Sequence, residues 1–280
     1  MRLSAGMLCM LLPLHIWLSG MVITPKAVFD AKFERDIAAS GRLLRFTSLE
    51  FKSLAADSRL LSAIFYVGKM LEDRAIIKGQ DWDWFTATVN ASAELDPYFY
   101  DTYYFSALTL AWSANRPEEA VKLLEKGVSY KPDSHRLLFN LGFIYYYFLK
   151  DNAKASEYIA MAAKIKGAPP FYANLAARLA YDSGRHETAA AFLLDMLTNT
   201  ENERIRAMYE KRLIALKGAI ELEKAAKEYE ARYSDRPADI AELKTKGFID
   251  SLPDDPYGGE YYINEEGRVY SSSGFIEKRQ

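Results

Sequence analysis

Cysteine is almost missing from this chain. Cys9 is the only one in 280 residues, which excludes an intramolecular disulfide framework and a cysteine-based zinc site. Histidine is nearly as scarce: His15, His135 and His186 have no partner at metal-ligand spacing. There is no Gly-rich phosphate loop and no G-x-S-x-G nucleophile turn. Asp81 and Asp83 flank Trp82, but residues two apart leave a helix on different faces, so capping explains them better than paired-carboxylate chemistry. An excess of one charge is absent too. Against 38 acidic residues stand 36 basic ones with no basic block, which denies the chain the footprint of a nucleic-acid binder. The expectation is a protein that is not an enzyme, with no catalytic residue, no cofactor and no metal.

What is plentiful is apolar and aromatic side chain, 50% and 14% of the residues with 19 Tyr. Helices packed in layers leave gaps that large rings fill, so core packing accounts for most of them. The length suits about two domains.

From Leu3 to Ile23 there are 21 residues without a formal charge, interrupted only by Pro13 and His15. As a helix this run would reach about 31 Å, a bilayer core. It exceeds the hydrophobic region of a removable signal, and no clean A-x-A site comes after it. Residues 1–25 therefore read as an uncleaved bacterial inner-membrane anchor, single-pass, with the bulk of the chain in the periplasm; a cleaved signal is the alternative. Basic residues lie on both sides (Arg2; Lys26, Lys32, Arg35), so orientation is only weakly encoded. Cys9 is not a lipoprotein cysteine, because Leu8 stands where a small residue is wanted. Residues 26–80 read as amino-terminal helices packing on the helical region 81–202, with Leu43, Leu44, Leu49, Leu54, Leu60 and Leu61 facing a core. Phe46 to Glu50 resembles the start of a mature pilin, but Arg45 replaces the required Gly, and Lys52, Asp57 and Arg59 break the apolar stretch.

Between residues 81 and 202 the apolar pattern has helical period and its punctuation recurs. Leu138, Leu141, Gly142 and Tyr145 fall at offsets 0, 3, 4 and 7, and Pro97, Pro132 and Pro169 are 35 and 37 residues apart (132−97, 169−132). Small residues at Ala107, Ala111, Ala120 and Gly127 let paired helices approach closely. Asn115-Arg116-Pro117-Glu118-Glu119 supplies a turn with carboxylates in the next first turn, where they complement the dipole. Two more units turn at Lys150-Asp151-Asn152 and Asp182-Ser183-Gly184-Arg185, and Trp82–Pro97 reads as the closing helix of an incomplete one. These residues resemble the tetratricopeptide (TPR) repeat, whose W-x2-L-G-x2-Y signature has Leu138 in the Trp place and whose period is about 34. The resemblance implies a mainly α fold, an α-solenoid of stacked helix pairs whose groove holds a protein or peptide segment. The groove residues it implies are the polar or aromatic ones on first helices: Tyr100, Tyr103, Asn140, Tyr147, Asn174 and Arg178.

After Glu203 the texture changes. The charged helix 205–233 carries an apolar stripe (Met208, Leu213, Ala215, Leu216, Ile220, Leu222, Ala226). Next comes Leu252-Pro253-Asp254-Asp255-Pro256-Tyr257-Gly258-Gly259, and Tyr261, Ile263 and Val269 can alternate as two short strands around Asn264–Gly267. This order is similar to the soluble part of the major pseudopilins of type II secretion, with Tyr257 in the place of a Trp. It makes residues 203–280 a long helix plus a small α+β tail with a hairpin. The calcium site of that family is not expected, since Val269-Tyr270 stands where an acidic residue is needed; Asp254 and Asp255 read as solvated turn carboxylates.

The resulting expectation is a membrane-anchored TPR scaffold in a bacterial envelope assembly, related to type II secretion or type IV pili by its tail. The alternatives are a soluble or secreted TPR adaptor and a non-catalytic subunit of an enzyme complex. The carboxyl-terminal unit is expected to cap the stack, because its long stripe needs burial.

Overall fold

A computed structural model of the chain describes residues 41–73 and 77–276. The apolar run 3–23, and with it the expected anchor, lies outside them. Among the described residues no helix is long and apolar enough to cross a membrane.

The described chain is mainly helical: eleven helices in succession and one two-stranded hairpin. They are α1 (Gly41–Thr47), α2 (Lys52–Glu72), α3 (Gly79–Leu95), α4 (Tyr100–Trp112), α5 (Pro117–Tyr130), α6 (His135–Tyr147), α7 (Asn152–Ala163), α8 (Phe171–Asp182), α9 (His186–Thr198), α10 (Glu203–Tyr233), α11 (Ile240–Thr245), β1 (Tyr261–Ile263) and β2 (Val269–Ser271). From α2 to α10 each helix packs on the next, and α4 also touches α6.

Local sequence explains why the helices stop where they do. Asn115, Lys150 and Gly184 all have positive φ, and they are 35 and 34 residues apart (150−115, 184−150). Each is followed by an amide that reaches back into the finished helix. The N–H of Arg116 donates to Leu110 O (2.8 Å), that of Asp151 to Tyr145 O (2.9 Å), and that of Arg185 to Ala180 O (2.8 Å). A left-handed residue with such a back bond satisfies the orphan carbonyls of a helix end. The next helices start with their own signals: Pro117 at the first position, Asp151 Oδ1 accepting from the Lys154 amide (2.9 Å), and Ser134 Oγ accepting from the Leu137 amide (3.4 Å).

Between paired helices, glycine sets the spacing. A Cβ at Gly142 would sit 2.5 Å from Ile159 Cγ1 and 3.0 Å from the Ala155 carbonyl; one at Gly127 would sit 2.8 Å from the Tyr103 ring. The layers close over Leu110, Leu124, Leu137, Leu141, Ile144 and Ile159, all fully buried.

The amino-terminal helices overturn one expectation. Of the six leucines expected to face a core, Leu60 is buried and Leu44 half-buried, whereas Leu43, Leu49, Leu54 and Leu61 are exposed. The face of α2 that packs carries Ala56, Leu60, Ala63, Tyr66 and Val67. Its alanines allow a backbone approach close enough for Ser92 Oγ to donate to Ala56 O (2.9 Å), and the opposite leucine stripe is left outside. The packing also gives α3 a partner in α2, so Trp82–Pro97 closes a pair that begins at Lys52.

The carboxyl-terminal unit folds onto the last pair. The 31-residue α10, capped by Asn202, packs on α9 and reaches α8, and β2 and α11 lie against it. Strands β1 and β2 are antiparallel with Tyr262 opposite Tyr270, and their turn uses Gly267 at positive φ. The Leu-Pro segment is organised by Asp255, which is buried and not solvated as expected. Oδ1 accepts from the Tyr257 amide (2.9 Å); Oδ2 accepts from the Gly259 amide (3.2 Å) and from the hydroxyls of Ser271 and Ser273. Gly259 is required by close approach, because a Cβ there would meet Ser271 Oγ, Ser273 N and Asp255 Oδ2 within 2.6 Å.

Candidate partner-binding face

The first helices of three successive pairs, α4, α6 and α8, each present one stripe of side chains, aromatic and polar on α4 and α6 and polar alone on α8. On α4 it is Tyr100, Tyr104, Leu108 and Trp112; on α6, Arg136, Asn140, Phe143 and Tyr147; on α8, Asn174, Arg178 and Asp182. Spacings of three and four residues keep each set on a single side of its helix. Exposure is substantial: Trp112 is 54% exposed, Tyr147 42% and Tyr104 40%.

The stripes of α4 and α6 meet across the helices. Asn140 Nδ2 donates to the Tyr100 hydroxyl (3.4 Å), and Tyr100 stacks on Tyr104 at 5.6 Å between centroids. Partial burial raises the Tyr100 pKa; the Asn140 bond and the Arg136 charge act in the opposite sense. At the other end of α6, Tyr147 stacks on Phe143 (5.6 Å) and meets Trp112 (4.9 Å), with Lys150 Nζ 5.0 Å from its ring centroid. On α8, Arg178 Nε lies 3.6 Å from Asp182 Oδ2. Burial pushes the Asp182 pKa up, against the pull of Arg178, Arg212 and His186. Among the described residues Asn174 Oδ1 is buried without a hydrogen-bond partner.

Five of the six residues expected in the groove (Tyr100, Asn140, Tyr147, Asn174 and Arg178) lie on these stripes. Tyr103 does not. It is fully buried against Gly127, its hydroxyl donating to Pro97 O (2.9 Å), and burial pushes its pKa up. One position separates it from Tyr104, about 100° around the helix, which turns one tyrosine into the core and the next out of it. Tyr104, Trp112, Arg136 and Phe143 share these stripes and were not among the six expected. Their signal was present, as the four-residue spacing from Tyr100 through Trp112 and the Asn140–Tyr147 periodicity.

Beside the last stripe the tail is locked in place by buried polar groups. The Ser271 amide donates to the Tyr181 hydroxyl (2.5 Å), and Arg212 Nη2 donates to Phe275 O (2.6 Å) while its guanidinium lies near the rings of Tyr257 and Phe275. Glu223 lies 3.2 Å from His186 Nδ1 and accepts from the Val269 amide (3.1 Å). Burial works to raise its pKa, but His186, Val269 N–H and Arg268 together hold it below the usual carboxylate range. These groups join α8, α9, α10 and β2, an arrangement that immobilises the tail. Among the described residues no cluster of His, Cys, Asp or Glu could hold a metal ion.

No family model matches this chain, and no curated protein matches it in sequence.

Proposed function

We propose that this chain is a membrane-anchored scaffold of a bacterial envelope assembly, an α-solenoid of TPR-like pairs that holds an extended segment of a partner protein. The observation that carries the reading is the run of stripes on three successive first helices, with half-exposed rings side by side on α4 and α6 and the polar Asn174, Arg178 and Asp182 on α8. In stacked-repeat proteins the helices of one layer line a continuous surface, and that surface is where extended ligands lie. Repeated turns at residues 115, 150 and 184 support the repeat architecture, and the Leu138–Tyr145 spacing supports the family. Exposed rings offer large contact area with little ordering entropy, and Asn140 and Arg178 offer hydrogen bonds to a peptide backbone or carboxylate. The anchor is the run 3–23, the bulk of the chain is periplasmic, and the role is non-catalytic.

Site-specific photocrosslinking in native membranes tests this. With the full-length protein carrying a photoreactive amino acid at position 147 or 104, a discrete partner adduct is expected. At position 194 on α9, where Leu194 is 47% exposed, none is expected. Equal adducts at all three positions, or none at 147 and 104, would exclude this face as the docking surface. Identification of the adduct by mass decides whether the assembly is a secretion or pilus system.

A further inference from the structure

The corner between α1 and α2 breaks the ordinary rule for apolar side chains. Within positions 46–54, Phe46 is 82% exposed, Leu49 70%, Phe51 70% and Leu54 66%. Isolated exposed leucines need no explanation, but a contiguous apolar crest marks a contact surface. Leu49 sharpens the point. Its φ is +47°, a left-handed conformation that Gly or Asn adopts more easily, and its side chain packs on no core. From Leu54 the apolar line continues along α2 through Leu61 and Phe65, both about half exposed. These lie seven and eleven positions on, the side opposite Ala56 and Ala63.

Chain length sets how far this crest can lie from the uncharged run. The uncharged run ends at Ile23, and only residues 24–40 separate it from Gly41. Seventeen residues extend to at most about 60 Å, so a span at 3–23 tethers the crest to the bilayer surface at high effective concentration. Arg45 just before the crest and Lys52 within it are exposed, as is Glu50 between them. Basic side chains beside buried rings reach headgroup phosphates while their stems stay apolar. We propose that the α1–α2 corner is a bilayer-insertion tip that seats Phe46, Leu49, Phe51 and Leu54 at the headgroup boundary. The tip would fix the orientation of the helical stack on the membrane. This rests on the anchor assigned to residues 3–23.

The test uses the full-length protein in vesicles of phosphatidylcholine and phosphatidylglycerol, with an environment-sensitive fluorophore on one cysteine at a time. Native Cys9 reports the anchor, Leu49→Cys in a Cys9→Ser background reports the tip, and Ile214→Cys in that background is the exposed control on α10. Blue-shifted emission at position 49 that is lost to shallow nitroxide lipids, with position 214 unaffected, is the expected result. If Cys9 is quenched and position 49 is not, the anchor stands and the tip is overturned. If position 49 is quenched and Cys9 is not, the tip stands and the anchor falls. Blue shift at position 49 without lipid quenching means that protein covers the crest, a second copy included, and overturns the proposal. No signal at either position overturns both.

Discussion

Gly142 and Gly68 are both glycines within helices, with opposite reasons for being there. At Gly142 a methyl group would collide with Ile159 and the Ala155 carbonyl, neither of which can move without opening the α6–α7 layer. Gly142→Ala is expected to cost about 1–3 kcal/mol, as overpacking does. At Gly68 nothing lies within 4 Å, so Gly68→Ala is expected to add about 0.5–1 kcal/mol through backbone entropy alone. Urea unfolding of the two variants checks the pair, and equal shifts would contradict the packing argument. Asp255 makes a pH-dependent prediction. Burial acts to raise its pKa, but the Ser271 and Ser273 hydroxyls and the Tyr257 and Gly259 amides hold it below the ordinary range. A depressed folded-state pKa means that its contribution is complete above the unfolded aspartate value of about 3.9, and is lost as pH falls through the folded value. Asp255→Asn is therefore expected to lower stability at neutral pH and to flatten the acid limb of the stability profile. An unchanged acid limb would show that Asp255 does not drive that transition.

At the scale of the element, the same helix supplies both core and surface. Tyr103 and Tyr104 are neighbours on α4, but Tyr103→Ala is expected to cost about 3–5 kcal/mol by emptying a buried aromatic site. Tyr147→Ala and Trp112→Ala should leave the melting temperature nearly unchanged and weaken partner binding at least tenfold, as truncation of an interface anchor does at roughly 2 kcal/mol. Thermal melts beside a crosslinking yield separate the two classes; a large loss of stability in Tyr147→Ala would move that residue into the core. Helix period and turn residues were legible because they are local: proline or a left-handed residue follows α3 to α6 and α8, and Pro117, Ser134 and Asp151 begin the next helices. What could not be read was which of the two apolar stripes of α2 is buried. The stripe of Leu54, Leu61 and Phe65 stays outside and that of Ala56, Leu60, Ala63, Tyr66 and Val67 is buried, because its two alanines admit the closer approach to α3.

At the scale of the whole molecule, the tail and the helical stack complete each other. Tyr181, on α8, is almost fully buried by contacts that include Tyr270 and Phe275, and His186 on α9 is buried against Glu223 of α10. Removing residues 203–280 would expose this surface and leave polar groups of α8 and α9 without their partners. A full-length protein and its 1–202 counterpart, compared by thermal melting, are expected to differ by at least 10 °C, since several kcal/mol of burial is lost and each is worth roughly 2–4 °C in a domain of this size. Coincident melting would show that the tail is an independent unit.

By itself the sequence determined the helices, their turns and the carboxyl-terminal hairpin, because capping, left-handed positions and apolar period act over a few residues. Five of the six residues expected in the groove stand on the stripes of α4, α6 and α8, since helical spacing alone assigns a side. Only tertiary structure decided that Tyr103 is core, that Asp255 is a buried hub, that α2 turns Leu54 and Leu61 outward while burying Leu60, and that the tail docks through Glu223 and Arg212. Each of those depends on what another, distant segment offers: a glycine for a ring to lie on, two serines for a carboxylate, an alanine stripe for a helix. No local pattern encodes such a partner.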